Sequence, residues 1–112
     1  MKDFKIAFAQ LNNIVGDVEA NLFKAIEAIK DAENKGVELL LFPELYLPGY
    51  LCKDLFFQKE LLTRCEKAIE KLCQLDTSVA IIIGSISANT STGKRLHNSA
   101  YFIENNTIKS VY

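Results

Sequence analysis

The chain has 112 residues, of which 49% are hydrophobic, 24% charged and 10% aromatic. That length predicts one domain, and the composition excludes a disordered, collagenous or disulfide-stapled chain. Thirteen basic and fourteen acidic residues give a net charge of −1. With no run of one sign, the charge pattern excludes a basic footprint for nucleic acid or an anionic membrane surface.

Residues 4–11 alternate apolar and polar side chains, the period of a strand. Asn12-Asn13 and Gly16 interrupt the pattern, and Asp17 is placed to cap a helix, accepting from free backbone amides and complementing the helix dipole. Val18, Leu22, Ala25, Ile26, Ile29 and Ala32 then form one apolar helical stripe, ended by Gly36 in the left-handed region. Residues 37–42 are nearly continuously apolar, which predicts a strand covered on both faces or central in its sheet. The crossover between these strands is expected to be right-handed. Pro43 stops the strand, and residues 44–50 read as an irregular loop at its carboxyl end. Leu61, Cys65, Ala68, Ile69 and Leu72 mark a second amphipathic helix. Residues 79–83 form a further buried strand closed by Gly84, and residues 85–95, rich in Ser, Thr, Asn and Gly, read as a surface loop. Residues 98–103 and 107–112 pair as a hairpin around Glu104-Asn105-Asn106, since asparagine tolerates positive φ. The predicted order is β-α-β-α-β plus a hairpin, an α/β layered fold with a mixed sheet.

Cys52, Cys65 and Cys73 form an odd set without a Cys-x-x-Cys pair, and residues 1–11 lack the apolar core of a signal peptide. Reduced thiols in a cytoplasmic protein are therefore expected. No window approaches the ~20 apolar residues of a membrane span. No metal-ligand spacing is present, and Gly93-Lys94 lacks the upstream glycine of a phosphate loop. His97, the only histidine, opens a strand and reads as a surface residue. Cys65 and Cys73 fall on the helical stripe and read as buried structural thiols. Cys52 has no flanking arrangement known to activate a nucleophile; Lys53 is adjacent in sequence, but neighbouring side chains often point apart.

In open α/β sheets, active groups gather beyond the carboxyl ends of strands. Glu44 has that position, between Phe42 and Leu45 and beside Pro43. Partial desolvation there would suit it to general-base work, although position alone leaves an exposed loop carboxylate an equal reading. Tyr46, Tyr50, Phe56 and Phe57 follow within the same stretch, where they either wall a pocket or pack the loop onto the core.

Phe42-Pro43-Glu44-Leu45 with Pro48-Gly49-Tyr50 resembles the glutamate motif of the carbon-nitrogen hydrolase (nitrilase) superfamily, as does Lys5-Ile6-Ala7-Phe8-Ala9-Gln10-Leu11 with Val15-Gly16-Asp17 and Asn21. Within that superfamily the chain most resembles the glutaminase domains of glutamine-dependent NAD+ synthetases. Asn12 to Asp17 after the first strand and Lys53-Asp54-Leu55 after Gly49-Tyr50 carry this narrower likeness. Leu96-His97-Asn98-Ser99-Ala100 is similar to the family's Tyr-Asn-Ala-Ala strand.

The resemblance implies an α-β-β-α sandwich, with residues 1–112 as a partial glutaminase domain. It implies amide hydrolysis by a cysteine nucleophile, a glutamate that moves protons and a lysine that stabilises the oxyanion. Glu44 takes the glutamate role, and Tyr50 matches a tyrosine lining the glutamine pocket, although a packed Pro-Gly-Tyr turn would look the same. No residue here matches the lysine or the nucleophile, so the chain alone is expected to be inactive. Ammonia made by such a domain serves ATP-dependent amidation of deamido-NAD+ in a separate domain, leaving no ATP, dinucleotide or metal site in this chain. Glutamine is the implied substrate and homo-oligomers are implied partners. The alternatives are a simple nitrilase-like amidase, a subunit completed by a second chain, or a truncated gene remnant.

Overall fold

The computed structural model describes residues 3–49, 55–88 and 96–112, with backbone alone at residues 55–57. Five strands form one sheet in the order β1 (Ile6–Phe8), β2 (Leu39–Leu41), β3 (Ala80–Ala88), β4 (Leu96–Glu104) and β5 (Thr107–Val111). The first three are parallel, and β3, β4 and β5 run antiparallel to one another in turn. Helix α1 (Val18–Asn34) links β1 to β2, and α2 (Leu55–Cys73) lies between β2 and β3. The predicted mixed α/β order is therefore the observed one.

Local signals account for both helices. Asp17 caps α1 by accepting from the Ala20 amide at 3.1 Å. Gly36 lies just past the helix with φ of +74°, where a side chain would be strained. Of the α1 stripe, Val18, Leu22, Ala25, Ile29 and Ala32 are buried and Ile26 is half-buried against the same core, and Leu61, Cys65, Ala68, Ile69 and Leu72 are buried on α2. Polar contacts tie down the segments at the carboxyl ends of the helices. The Glu33 carboxylate accepts from Thr77 Oγ1 at 2.7 Å and the Ser78 amide at 2.9 Å. Asn106 Nδ2 donates to the carbonyls of Cys73 at 2.7 Å and Leu75 at 2.8 Å, closing the carboxyl end of α2.

Side chains alternate across a sheet, so the register separates its two faces row by row. Ala7, Leu40, Ile81 and Ile103 stand side by side across four strands. Leu40, Ile81 and Ile103 of this row are buried in one core with the helical stripes. The next row, Phe8, Leu41, Ile82 and Phe102, points the other way. Phe8 is 71% exposed there, and Leu41, Ile82 and Phe102 are only half-buried. Among the described residues the helices thus cover one face, and the other is an open apolar surface continued by Ile6 at 50% exposure.

β2 lies between β1 and β3, central in its sheet as the second of its two readings has it, with both helices on its Leu40 face. Two sequence expectations need correction. β1 and β2 are three residues each, shorter than their apolar patterns, since Ala9 and Phe42 are buried just beyond regular pairing. β3 runs through Gly84 to Ala88 instead of ending there: Ser85 and Ser87 stand opposite Ser99 and His97 in the β4 ladder. Residues 89–95, the rest of the expected loop, lie outside the described residues. Asn105 and Asn106 adopt φ of +53° and +64°, the hairpin turn their residue types predict. Among the described residues, no helix is long and apolar enough to cross a membrane.

Candidate active site

The site begins where β2 ends. The Phe42 amide still donates to the Ile82 carbonyl at 2.8 Å, and Pro43 then has no donor to continue the ladder. The chain turns over Gly84 of β3 so closely that a Cβ on that glycine would stand 2.3 Å from the Pro43 carbonyl oxygen and 2.5 Å from the Leu45 nitrogen. Only a residue without a side chain admits this passage. Leu45 itself has φ of +52°, a left-handed conformation that costs a branched residue energy and is held by its surroundings. The Leu47 amide then donates to the Gly84 carbonyl at 3.1 Å, pinning the turn to the strand beneath.

A second clasp comes from the segment before α1. Asn13 Nδ2 donates to the Tyr46 carbonyl at 2.9 Å, and the Gly16 amide to the Pro48 carbonyl at 2.9 Å. Asn21 is fully buried: its Nδ2 donates to the carbonyls of Ile14 at 2.8 Å and Leu47 at 2.9 Å, while its Oδ1 accepts from the Ile14 amide at 2.6 Å. The Tyr46 hydroxyl returns a bond to the Asn21 carbonyl at 2.9 Å. Gly49, at φ of +82°, passes Val15 so tightly that a Cβ would lie 2.8 Å from its Cα. The two motif-bearing segments of the sequence therefore form one clasp around the turn that carries Glu44. Tyr46 packs its ring against Phe42 at a centroid distance of 5.2 Å, and burial pushes its phenol up to about 12. Tyr46 is thus a fully buried core residue that packs the turn onto the sheet.

Glu44 projects from this turn onto the open face of the sheet, and its Oε1 accepts from Asn98 Nδ2 on β4. The two flank a concavity of about 350 Å³, lined also by Phe42, Ile82, Ala100 and Tyr112. Of the two readings that its position allows, the exposed loop carboxylate is the one observed for Glu44. The residue is exposed, because Phe42 turns inward and no layer stands over this face among the described residues. The other chemistry-bearing residues lie elsewhere. Cys65 is fully buried, with Ser85 beside it on the helix-covered side of the sheet, and burial pushes its thiol up to about 11. Burial likewise raises the half-buried Cys73. Cys65 is thus a buried structural thiol, as the stripe predicts, whereas Cys73, the last residue of α2, packs against the core without being enclosed. His97 is exposed, and no group of three metal-ligating side chains occurs among the described residues. Tyr50, Cys52 and Lys53 lie outside the described residues.

Two contributors to the site are not evident in the sequence. Gly84 reads as a strand terminator but is the point of close approach. Its signal is an isolated glycine after an apolar strand run, which also marks backbone contact. Asn98 lies 54 positions from Glu44; its motif is visible in the sequence, but its partner is not.

The carbon-nitrogen hydrolase family pattern matches residues 5–112. The glutamine-dependent NAD(+) synthetase of Thermotoga maritima is 38% identical over 114 residues, covering all of this chain and 19% of that protein. The Synechocystis protein of the same name is 37% identical over 111 residues, covering 95% of this chain and 20% of the relative. Among solved structures, the glutamine-dependent NAD+ synthetase of Acinetobacter baumannii in complex with ADP superposes with a TM-score of 0.86 at 30% identity, over 100% of this chain and 21% of its own. An amidase from Nesterenkonia sp. has the same fold, with a TM-score of 0.80 at 20% identity, over 97% of this chain and 41% of its own. The chain spans about a fifth of the length of the synthetases it matches.

Proposed function

The chain belongs to the carbon-nitrogen hydrolase family, and from that premise we propose that it supplies the glutamate-bearing part of a glutamine amidase domain in a glutamine-dependent NAD+ synthetase. The observation that carries the reading is Glu44 at the carboxyl end of β2, held over an open concavity by a turn that both motif segments clasp. In this reading Glu44 moves protons as amide is cleaved, and the covalent route uses a cysteine and a lysine for which these residues have no counterpart. The 112 residues alone then release no ammonia from glutamine. ATP and deamido-NAD+ are handled outside them, in a cytoplasmic, self-associating enzyme.

A chimera tests this directly. Residues 5–112 replace the matching segment of the Thermotoga maritima relative, and ammonia release from glutamine is measured. The expected result is activity that Glu44→Gln abolishes. An inactive but folded chimera, or one indifferent to Glu44→Gln, overturns the reading.

The open row of Phe8, Leu41, Ile82 and Phe102 favours one alternative, a split amidase whose second polypeptide covers that face. Co-expression with the remainder of a family domain then yields a complex, and Phe8→Lys prevents it. Two chains that elute separately refute the split arrangement.

A further inference from the structure

We propose that Asn98 is the positioning residue for Glu44: its side-chain amide holds one carboxylate oxygen, leaving the other to face the concavity and exchange protons with substrate. The inference rests on Glu44 being the proton-transferring carboxylate of the proposed reaction. An ionised carboxylate only accepts hydrogen bonds, so the amide nitrogen of Asn98 must face it, and Nδ2 does donate to Oε1. Both ends of the bond are anchored to the same strand. Asn98 stands opposite Ile86 in the β3–β4 ladder, two residues beyond Gly84. Glu44 is carried by the turn pressed on Gly84 and bonded to its carbonyl through Leu47. The spacing between donor and carboxylate is thus set by the sheet.

Neither of the other side-chain donors lining the concavity takes this role. The Ser99 hydroxyl pairs with that of Ser87 at 2.7 Å, and the Tyr112 ring is 81% exposed. An amide is also chemically apt. It donates a proton it does not give up, so it orients the carboxylate without competing for the proton being moved. Glu44 is exposed and would otherwise sample several rotamers; fixing one carboxylate oxygen selects those that aim the other at the substrate.

Two measurements test the proposal, one independent of the function assigned. In the 112-residue chain, one side-chain amide proton of Asn98 shifts between neutral and acid pH, and Glu44→Gln removes that shift. An Asn98 amide that ignores Glu44→Gln overturns the proposal. In the Thermotoga chimera, Asn98→Asp is isosteric but loses the donor when ionised. It lowers kcat for glutamine about tenfold or more and leaves KM unchanged, the signature of a misaimed base. Its deficit relative to Asn98→Ala narrows toward acid pH, where the introduced carboxyl group is protonated and donates again. Parental kcat in both variants, or a change confined to KM, also overturns it. A chimera inactive with Asn98 intact removes the proposed function, and the amide resonance then decides the Asn98–Glu44 contact alone.

Discussion

Replacing Gly84 with alanine isolates the close passage on which the placement of Glu44 depends. The new Cβ would sit 2.3 Å from the Pro43 oxygen, 2.5 Å from the Leu45 nitrogen and 2.8 Å from the Glu44 carbonyl carbon, all backbone atoms. To reach ordinary contact at 3.4 Å the turn must retreat by about 1.1 Å from β3. Overpacking of this kind costs roughly 1–3 kcal/mol, because the neighbours that would have to move are themselves clasped. At about 4–8 °C per kcal/mol for a domain near this size, the thermal midpoint of Gly84→Ala falls by roughly 5–20 °C. A 1 Å displacement of a reacting group is worth on the order of a hundredfold in rate, so the same substitution in the chimera lowers glutamine turnover by about that factor.

Gly36→Ala separates steric from conformational cost. Nothing lies within 4 Å of a Cβ there, but φ is +74°. Its penalty is the left-handed backbone alone, about 1–2 kcal/mol, with no effect on turnover because Gly36 lies beyond the far end of α1. Calorimetry on the chain and ammonia release by the chimera read the two effects. A Gly84→Ala variant with parental midpoint and turnover would refute the close passage, and with it the placement of Glu44.

The remaining predictions concern the clasp and the buried titrating groups. Asn21→Ala strands the buried Leu47 carbonyl and leaves the part-buried Ile14 amide without its partner, at about 1–3 kcal/mol, read as a lower urea midpoint; a change below about 0.5 kcal/mol, the range of an ordinary surface substitution, would mean the clasp does not form. Burial disfavours the anions of Cys65 and Tyr46, so the folded chain keeps protons that the unfolded chain releases. Stability therefore falls as pH rises, beginning near 9 for Cys65 and ending near 12 for Tyr46, and Tyr46→Phe removes the part above pH 10 that belongs to its phenol. An unfolding midpoint constant from about pH 8 to 11.5 would contradict this. Alkylation at about pH 8 followed by peptide mapping leaves Cys65 unmodified in the folded chain and modifies it in urea; fast native labelling would place it elsewhere than the core.

What the sequence revealed divides along the range of the interactions. The Asp17 cap, the α1 and α2 stripes, Gly36 and the Asn105-Asn106 turn are set by neighbours within a few positions, and each stands as the residue types predict. The apolar patterns overrun the ends of β1 and β2 because apolar character follows burial: Ala9 and Phe42 are inside without regular pairing. Ser85 and Ser87 look like loop because small polar residues join a strand only when a partner pairs with them, and their partners on β4 lie 14 and 10 positions on, at Ser99 and His97. Glu44 is legible by its place after a strand, whereas the residues that aim it are not. Asn98 and Gly84 act on it across 54 and 40 positions, which no local pattern encodes.

The open sheet face connects folding to chemistry. Glu44 and Asn98 sit at one end of the same surface that exposes Phe8 and half-buries Leu41, Ile82 and Phe102. A carboxylate that shuttles protons benefits from a water-poor setting, and four aromatic or branched side chains in a row gain by being covered. One covering layer would satisfy both demands at once, stripping water from the apolar row and from the carboxylate at its end. The exposure of Glu44 and the exposure of Phe8 are then a single property of this face. On the proposed function, a segment that closed the face, in the same polypeptide or another, would also turn a solvated loop glutamate into a base able to work on an amide. Phe8→Lys should therefore cost activity in the chimera as well as stability, although Phe8 lies on an edge strand outside the lining of the concavity. Its activity loss should track the loss of the covering layer, measured as renewed exchange of the Asn98 side-chain amide with water. If turnover falls while that amide stays protected, the two demands are separate and the coupling between them does not exist.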